Sequence, residues 1–272
     1  MCMKFTEILK RMFVERYCVI CGEGISYDVK EPFCEECVEH WKEFLKVKCR
    51  NCGQPHYSCT CLPAKIRKIN HSMAGWCVFY DASTNGEINK LFSYLKRRYD
   101  RQVIDLCAER MKSSIIGIFK GRGMRYDGYV VTFAPRRAKN VRVYGFDQSE
   151  KLAKALAKKL GLKCISTFVN TAKKEQKGLD KKERAYNAQC SYVYKEGSLK
   201  EHKNIIIVDD IMTSGATFYA CALQLYMHGA ESVVPVSFAK DNYKIKGVKK
   251  NVKGNTKYHF ARAVKGFVRN GS

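Results

Sequence analysis

The chain has 272 residues, of which 46% are hydrophobic and 12% aromatic. That is ample for a packed core and argues against global disorder, and no apolar run approaches the length of a membrane-spanning helix. Fifty Lys and Arg against 26 Asp and Glu leave a net charge of +24, a field that favours a polyanion such as nucleic acid over an acidic or neutral partner; a generally Lys-rich composition is the alternative. The charge is uneven, with +3 on residues 1–76 and +21 on residues 77–272.

Residues 1–16 place Phe5, Ile8, Leu9, Met12 and Phe13 at helical spacing with charges between them. This is the pattern of an amphipathic helix and not the continuous apolar core of a signal peptide, so the expected location is the cytoplasm. Residues 17–64 form the next unit. Eight of the fourteen cysteines fall here in close pairs: Cys18 and Cys21, Cys34 and Cys37, Cys49 and Cys52, Cys59 and Cys61. A Cys-x-x-Cys turn brings two thiolates within reach of one tetrahedral Zn²⁺, and two turns complete the shell. Four pairs imply two structural zinc ions, with sequential grouping as the first choice and interleaved grouping left open. Cys59-Thr60-Cys61 is one residue short of the usual knuckle, which makes His56 a conceivable substitute ligand. Gly22 and Gly53 follow two of the pairs, where a tight turn needs φ > 0.

An α/β domain is expected over residues 74–240. Trp76 to Tyr80 reads as a strand, Gly86 to Tyr99 and Gln102 to Phe119 as helices, and Tyr126 to Phe133 as the next strand. The basic cluster Lys96, Arg97 and Arg98 closes the first of these helices, where cations complement the dipole. Pro135 stops the second strand and leaves Arg136 and Arg137 at its tip, the edge where open α/β sheets take ligands. Two guanidiniums there suit a pyrophosphate or a nucleic-acid phosphate; a solvated basic loop is the alternative. Gly145 to Ser149 opens a helix over Glu150 to Leu160, and a long basic excursion covers residues 173–187.

The most informative segment is Ile205 to Thr217. Four β-branched residues, Ile205 to Val208, read as a strand covered on both faces. The strand ends in Asp209 and Asp210, and Thr213, Ser214, Gly215, Ala216 and Thr217 lead into a helix from Phe218 to His228. Hydroxyls and unpaired N–H groups at a helix N-terminus cradle a phosphate. The two carboxylates suit the hydroxyls of a ribose on that phosphate, or a divalent metal. A strand from Val233 to Phe238 follows. The basic tail, residues 241–272, interleaves Tyr243, Tyr258, Phe260 and Phe267 with cations, which fits single-stranded nucleic acid or a solvated end. The alternation of strands and helices argues for a parallel sheet with helices on both faces.

The segment from Asp209 to Thr217 resembles the phosphoribosyl pyrophosphate (PRPP) motif of type I phosphoribosyltransferases. That resemblance implies that Asp209 and Asp210 hold the ribose 2′ and 3′ hydroxyls and that residues 213–217 hold the 5′-phosphate. Cysteine pairs, Gly145-Phe146-Asp147-Gln148, Gln176 to Leu179 with Arg184 and Asn187, and the PRPP motif occur here in an order similar to the ComF competence family. The likeness covers about residues 15 to 240. It implies a type I phosphoribosyltransferase-like fold behind a small zinc module, and a role in handling single-stranded DNA during natural transformation beside a helicase-like partner. Three positions depart from the family pattern: Asp147 replaces Asn, Tyr144 replaces Arg, and Ala134 to Arg137 lacks a polar residue ahead of the arginines. An active PRPP-dependent transferase, with Mg²⁺ beside PRPP, is the second reading, although no general base stands out.

Overall fold

The computed structural model describes residues 16–26, 29–69, 73–81, 86, 88–171 and 191–242. Most of the amphipathic segment 1–16, the excursion at 173–187 and the tail beyond residue 242 lie outside the described residues.

Four strands form a parallel sheet in the order β3-β8-β7-β4: β3 (Gly75–Tyr80), β8 (Ser232–Asp241), β7 (Asn204–Met212) and β4 (Val130–Phe133). A bridge from Val131 to Cys164 continues the sheet beyond β4. Ile205 to Val208 are fully buried, as β-branched residues covered on both faces should be. Pro235 pairs with Ile207, one residue before β3 joins β8 at Val236; a residue with no N–H is tolerated where one side of the strand has no partner.

The sheet separates two hydrophobic clusters. On one face Ile206, Val208 and Phe238 pack with α4 (Arg101–Gly121) and α6 (Gln148–Leu160). On the other, Ile205 and Ile207 pack with α7 (Ala216–Met227). Helices on both faces of a parallel sheet are the expected architecture, and the alternation of strands and helices already pointed to it. Asp100 starts α4 by accepting from the backbone N–H groups of Gln102 and Val103.

The cysteine region straddles the β3 side of this sheet. Its first part holds the hairpin β1 (Arg16–Tyr17) and β2 (Gly24–Ile25) and the helix α1 (Glu35–Leu45). Trp41 of α1 stacks on Phe238 with ring centroids 6.2 Å apart, which joins this part to the α4 face. The second part continues into α2 (Ala64–Arg67), and Cys49, Cys59, Leu62 and Ile66 join the α7 face. A short segment with little core of its own thus shares the cores of the larger unit.

Three local expectations change. The strand expected to end at Val208 runs to Met212, because β8 is long enough to pair with Asp209, Ile211 and Met212. The acidic pair therefore lies within the last turns of the ladder. A helix unforeseen in the sequence, α5 (Ala138–Tyr144), ends at Gly145 with φ 77°. A small antiparallel pair, β5 (Phe168–Asn170) and β6 (Tyr192–Tyr194), flanks the excursion. The remaining helix, α3 (Ile88–Arg97), falls within its expected range.

Candidate ribose-phosphate site and cysteine centres

Asp209 and Asp210 are consecutive on β7, so their side chains leave the strand toward opposite sides. Asp209 Oδ1 accepts from Ser149 Oγ at 3.0 Å and from the Asp210 N–H at 2.9 Å. Asp210 Oδ2 faces Gln148 Nε2 at 3.4 Å and Lys96 Nζ at 3.7 Å, and its Oδ1 accepts from the Ile211 N–H. Burial pushes the Asp209 carboxyl well above its ordinary range, and the Asp210 charge adds to that; the two hydrogen bonds oppose it only partly. Two adjacent acids with this little compensation are costly to keep unless a ligand uses them.

The turn after β7 places Thr213 and Ser214 at the surface and Gly215, φ 74°, at the N-cap of α7. Ser214 Oγ accepts from the Ala216 N–H at 3.4 Å. Gly215, the N-cap residue, has no side chain to cap the helix, and the first turn carries no acidic residue, so the dipole and the N–H groups after Ala216 remain available to an anion. Tyr192 on β6 bonds Thr217 and is influenced by Asp209 and Arg137, its phenol pushed up mainly by burial.

Arg136 and Arg137 follow β4 at the same edge. The Arg136 backbone N–H donates to Asp147 Oδ2 at 2.6 Å, its Nη1 donates to the Lys96 carbonyl at 2.7 Å, and its guanidinium lies 4.4 Å from the Tyr144 ring centre. Asp147 also caps α6 through the N–H groups of Ser149 and Glu150. The departures at 144 and 147 are thus a platform under Arg136 and a clamp on its backbone. Sequence reading missed Lys96, Gln148, Ser149 and Tyr192 as site residues. Lys96 left a signal that the helix-dipole explanation absorbed, and Gln148 and Ser149 stood in the turn from Gly145 to Ser149 without a role at the acids; Tyr192 left none.

The cysteines fall into two groups, Cys18, Cys21, Cys34 and Cys37, and Cys49, Cys52, Cys59 and Cys61. Within each group the four sulfurs lie within 4.8 Å of one another. The grouping is sequential, and His56 stands outside it, edge-on to Tyr57. The Cys21–Cys34 and Cys52–Cys59 sulfur separations, 3.5 and 3.7 Å, approach the ~3.8 Å edge of a tetrahedron with Zn–S near 2.3 Å. Gly22 and Gly53 close their knuckles with φ of 85° and 71°, donating to the Cys18 and Cys49 carbonyls. Either group could hold a metal ion, and four sulfur donors fit zinc.

A phosphoribosyl transferase domain model matches residues 147–267. Competence protein ComFC of Bacillus subtilis (strain 168) is 24% identical over 230 residues, 80% of this chain and 91% of that protein. Among solved structures, hypoxanthine phosphoribosyltransferase from Trypanosoma cruzi, in complex with the product IMP, is 13% identical, with 54% of this chain and 77% of that one covered at a TM-score of 0.30. Adenine phosphoribosyl transferase from Trypanosoma brucei, in complex with AMP, pyrophosphate and ribose-5-phosphate, is 13% identical, covering 65% and 80% at 0.31. No described helix is long and apolar enough to cross a membrane.

Proposed function

We propose that this ComF-family protein, with its phosphoribosyltransferase-like domain, binds a 5-phosphoribosyl ligand such as PRPP at the C-terminal edge of its sheet and handles single-stranded DNA during uptake. The observation that carries the ligand reading is the adjacency of the Asp209–Asp210 pair to the N-terminus of α7, where Gly215 offers no capping side chain, with Lys96 beside Asp210. In this reading residues 213–217 take the 5′-phosphate and the paired carboxylates take the ribose 2′ and 3′ hydroxyls. Arg136, Arg137 and Lys96 face the pyrophosphate. Asp209 and Asp210 offer the hard oxygen donors that would hold Mg²⁺, which would neutralise pyrophosphate charge when bound. Cys18, Cys21, Cys34 and Cys37, and Cys49, Cys52, Cys59 and Cys61, hold two structural zinc ions. The likeness to a competence protein and the net charge of +24 support the DNA role, and a helicase-like partner belongs to the same proposal.

Calorimetric titration with PRPP tests the ligand reading. The unaltered chain binds, and the double variant Asp209→Asn, Asp210→Asn loses binding while keeping its unfolding cooperativity. An unaltered chain that gives no heat with PRPP retires the reading. A catalysed phosphoribosyl transfer is favoured by one feature, the cations gathered on the Asp210 side where pyrophosphate would leave. Pyrophosphate release on adding nucleobases to the PRPP complex is its measurement, and silence across the common bases removes it.

A further inference from the structure

Lys240 is 2% exposed, on β8 beside Met212 of β7. Its ammonium lies 5.0 and 5.1 Å from the ring centres of Trp76 and Phe79. No carboxylate among the described residues forms an ion pair with it, and ring faces offset only part of the cost of removing an ammonium from water. Geometry sets it against the second cysteine group: Trp76 and Phe79 share one cluster with Cys49 and Cys59, and two residues beyond Lys240 the Asn242 side chain brackets Cys49, accepting from the Arg50 N–H at 2.9 Å and donating to the Lys48 carbonyl at 3.1 Å. Four neutral thiols would give it no counter-charge. A divalent ion binds the deprotonated form of all four, leaving a net charge of minus two beside the buried lysine.

The same group of cysteines reaches the phosphate loop. Cys61 runs through Leu62 and Pro63 into α2, where Ile66 is fully buried. A Cβ on Gly215 would lie 2.5 Å from Ile66 Cγ1 and 2.7 Å from Cδ1. The positive φ of Gly215 and the isoleucine packed against its α-carbon therefore both demand glycine. Phe218, Cys221 and Ala222 of α7 share one cluster with Cys49, Cys59, Leu62 and Ile66.

We infer that the second cysteine group, held as a dianionic metal tetrathiolate counter-charged by Lys240, is a positioning element of the ribose-phosphate site and sets the phosphate loop through Ile66. The loop arm of this inference rests on the ribose-phosphate reading for its purpose, but neither its geometry nor its first readout does.

The test uses the full chain loaded with zinc. A metallochromic chelator finds two zinc ions in the unaltered protein. In Lys240→Met, one of the two is bound roughly 10- to 100-fold more weakly, the range for loss of an outer partner of a metal centre, and the other is unchanged. Retention equal to that of the unaltered chain overturns the charge-balance arm. Hydrogen exchange across residues 213–217 reads the loop without any ligand. Exchange there rises in Ile66→Ala while both zinc ions stay, and rises again when the weakened zinc of Lys240→Met is withdrawn; no rise in either case overturns the positioning arm. Ribose 5-phosphate calorimetry adds the functional readout. Ile66→Ala binds roughly tenfold more weakly, Gly215→Ala does not bind, and Ile66→Ala restores part of the Gly215→Ala loss by making room for the methyl group. Losses that simply add in the double variant show that the two residues do not act through contact and overturn the proposal. An unaltered chain that fails to bind ribose 5-phosphate, with exchange responding as stated, refutes the ligand reading and leaves the positioning arm standing.

Discussion

Asp209 is held where its charge is costly. Burial and the neighbouring Asp210 carboxylate raise its pKa, while Ser149 Oγ and the Asp210 N–H offset only part of that. Because the folded-state pKa exceeds the unfolded one, the folded chain holds more protons between the two values. Stability therefore falls as pH rises through that window and levels off above the folded pKa. Asp209→Asn removes this slope and raises the stability of the protein at neutral pH. Thermal melts of both proteins between pH 4 and 8 should diverge as pH rises, with the variant higher; parallel curves would show that the pair bears no strain. At this scale the sequence was legible where chemistry is local. The acidic pair and the cysteine knuckles are runs of neighbours. Ser149 and Gln148 reach the acids across 60 and 62 positions, and Tyr192 reaches the site on a strand beyond the excursion. No local pattern encodes such meetings.

Among the elements, α6 shows how a helix start can shape a site. Asp147 caps it with one carboxylate oxygen and holds the Arg136 N–H with the other. Asn caps as well as Asp does, but its amide has one acceptor oxygen, so with that oxygen on the cap its NH2 meets the Arg136 N–H donor to donor; Ala offers no acceptor to either. Asp147→Asn should therefore keep the cap and cost about 1 kcal/mol or more for the donor left unpaired, and Asp147→Ala should lose the cap as well, ~1–2 kcal/mol for that alone. Both variants free the backbone ahead of Arg136, so PRPP affinity should fall in both. Denaturant unfolding and calorimetry check the two halves, and PRPP affinity unchanged in both variants would mean that the clamp does not matter. The strands and long helices were readable from period and β-branching, and α3, α4 and α6 fall close to where the apolar spacing puts them. Helix α5 escaped because Ala138 to Tyr144 has no buried residue and hence no apolar stripe. The far end of β7 escaped because Asp209 and Asp210 interrupt the apolar run, while pairing with β8 keeps the backbone extended.

For the whole molecule, the two proposed ligands make incompatible demands on the crevice. Paired carboxylates suit a ribose with free 2′ and 3′ hydroxyls. DNA has no 2′ hydroxyl, and within a strand the 3′ oxygen is esterified. A single strand entering the crevice would set its phosphates against Asp209 and Asp210 and gain no diol contact in return. The cationic excess lies elsewhere too, with +21 spread over residues 77–272, and Arg97, Arg98, Lys139 and Arg142 are exposed on α3, α5 and the segment after α3. DNA is therefore expected on the outer surface, bound through phosphates. Its affinity should fall linearly on a logarithmic salt scale; for about six phosphate contacts at ~0.7 counterion each, going from about 50 to 200 mM salt costs a factor of several hundred. PRPP at saturation, matched for ionic strength, should leave oligonucleotide affinity unchanged in fluorescence anisotropy. Asp209→Asn with Asp210→Asn should bind DNA as well as the unaltered chain, or somewhat better for the two negative charges removed. Displacement of the oligonucleotide by PRPP in proportion to crevice occupancy would place the strand inside the crevice and defeat this separation of surfaces. Loss of DNA binding in the double aspartate variant would do the same.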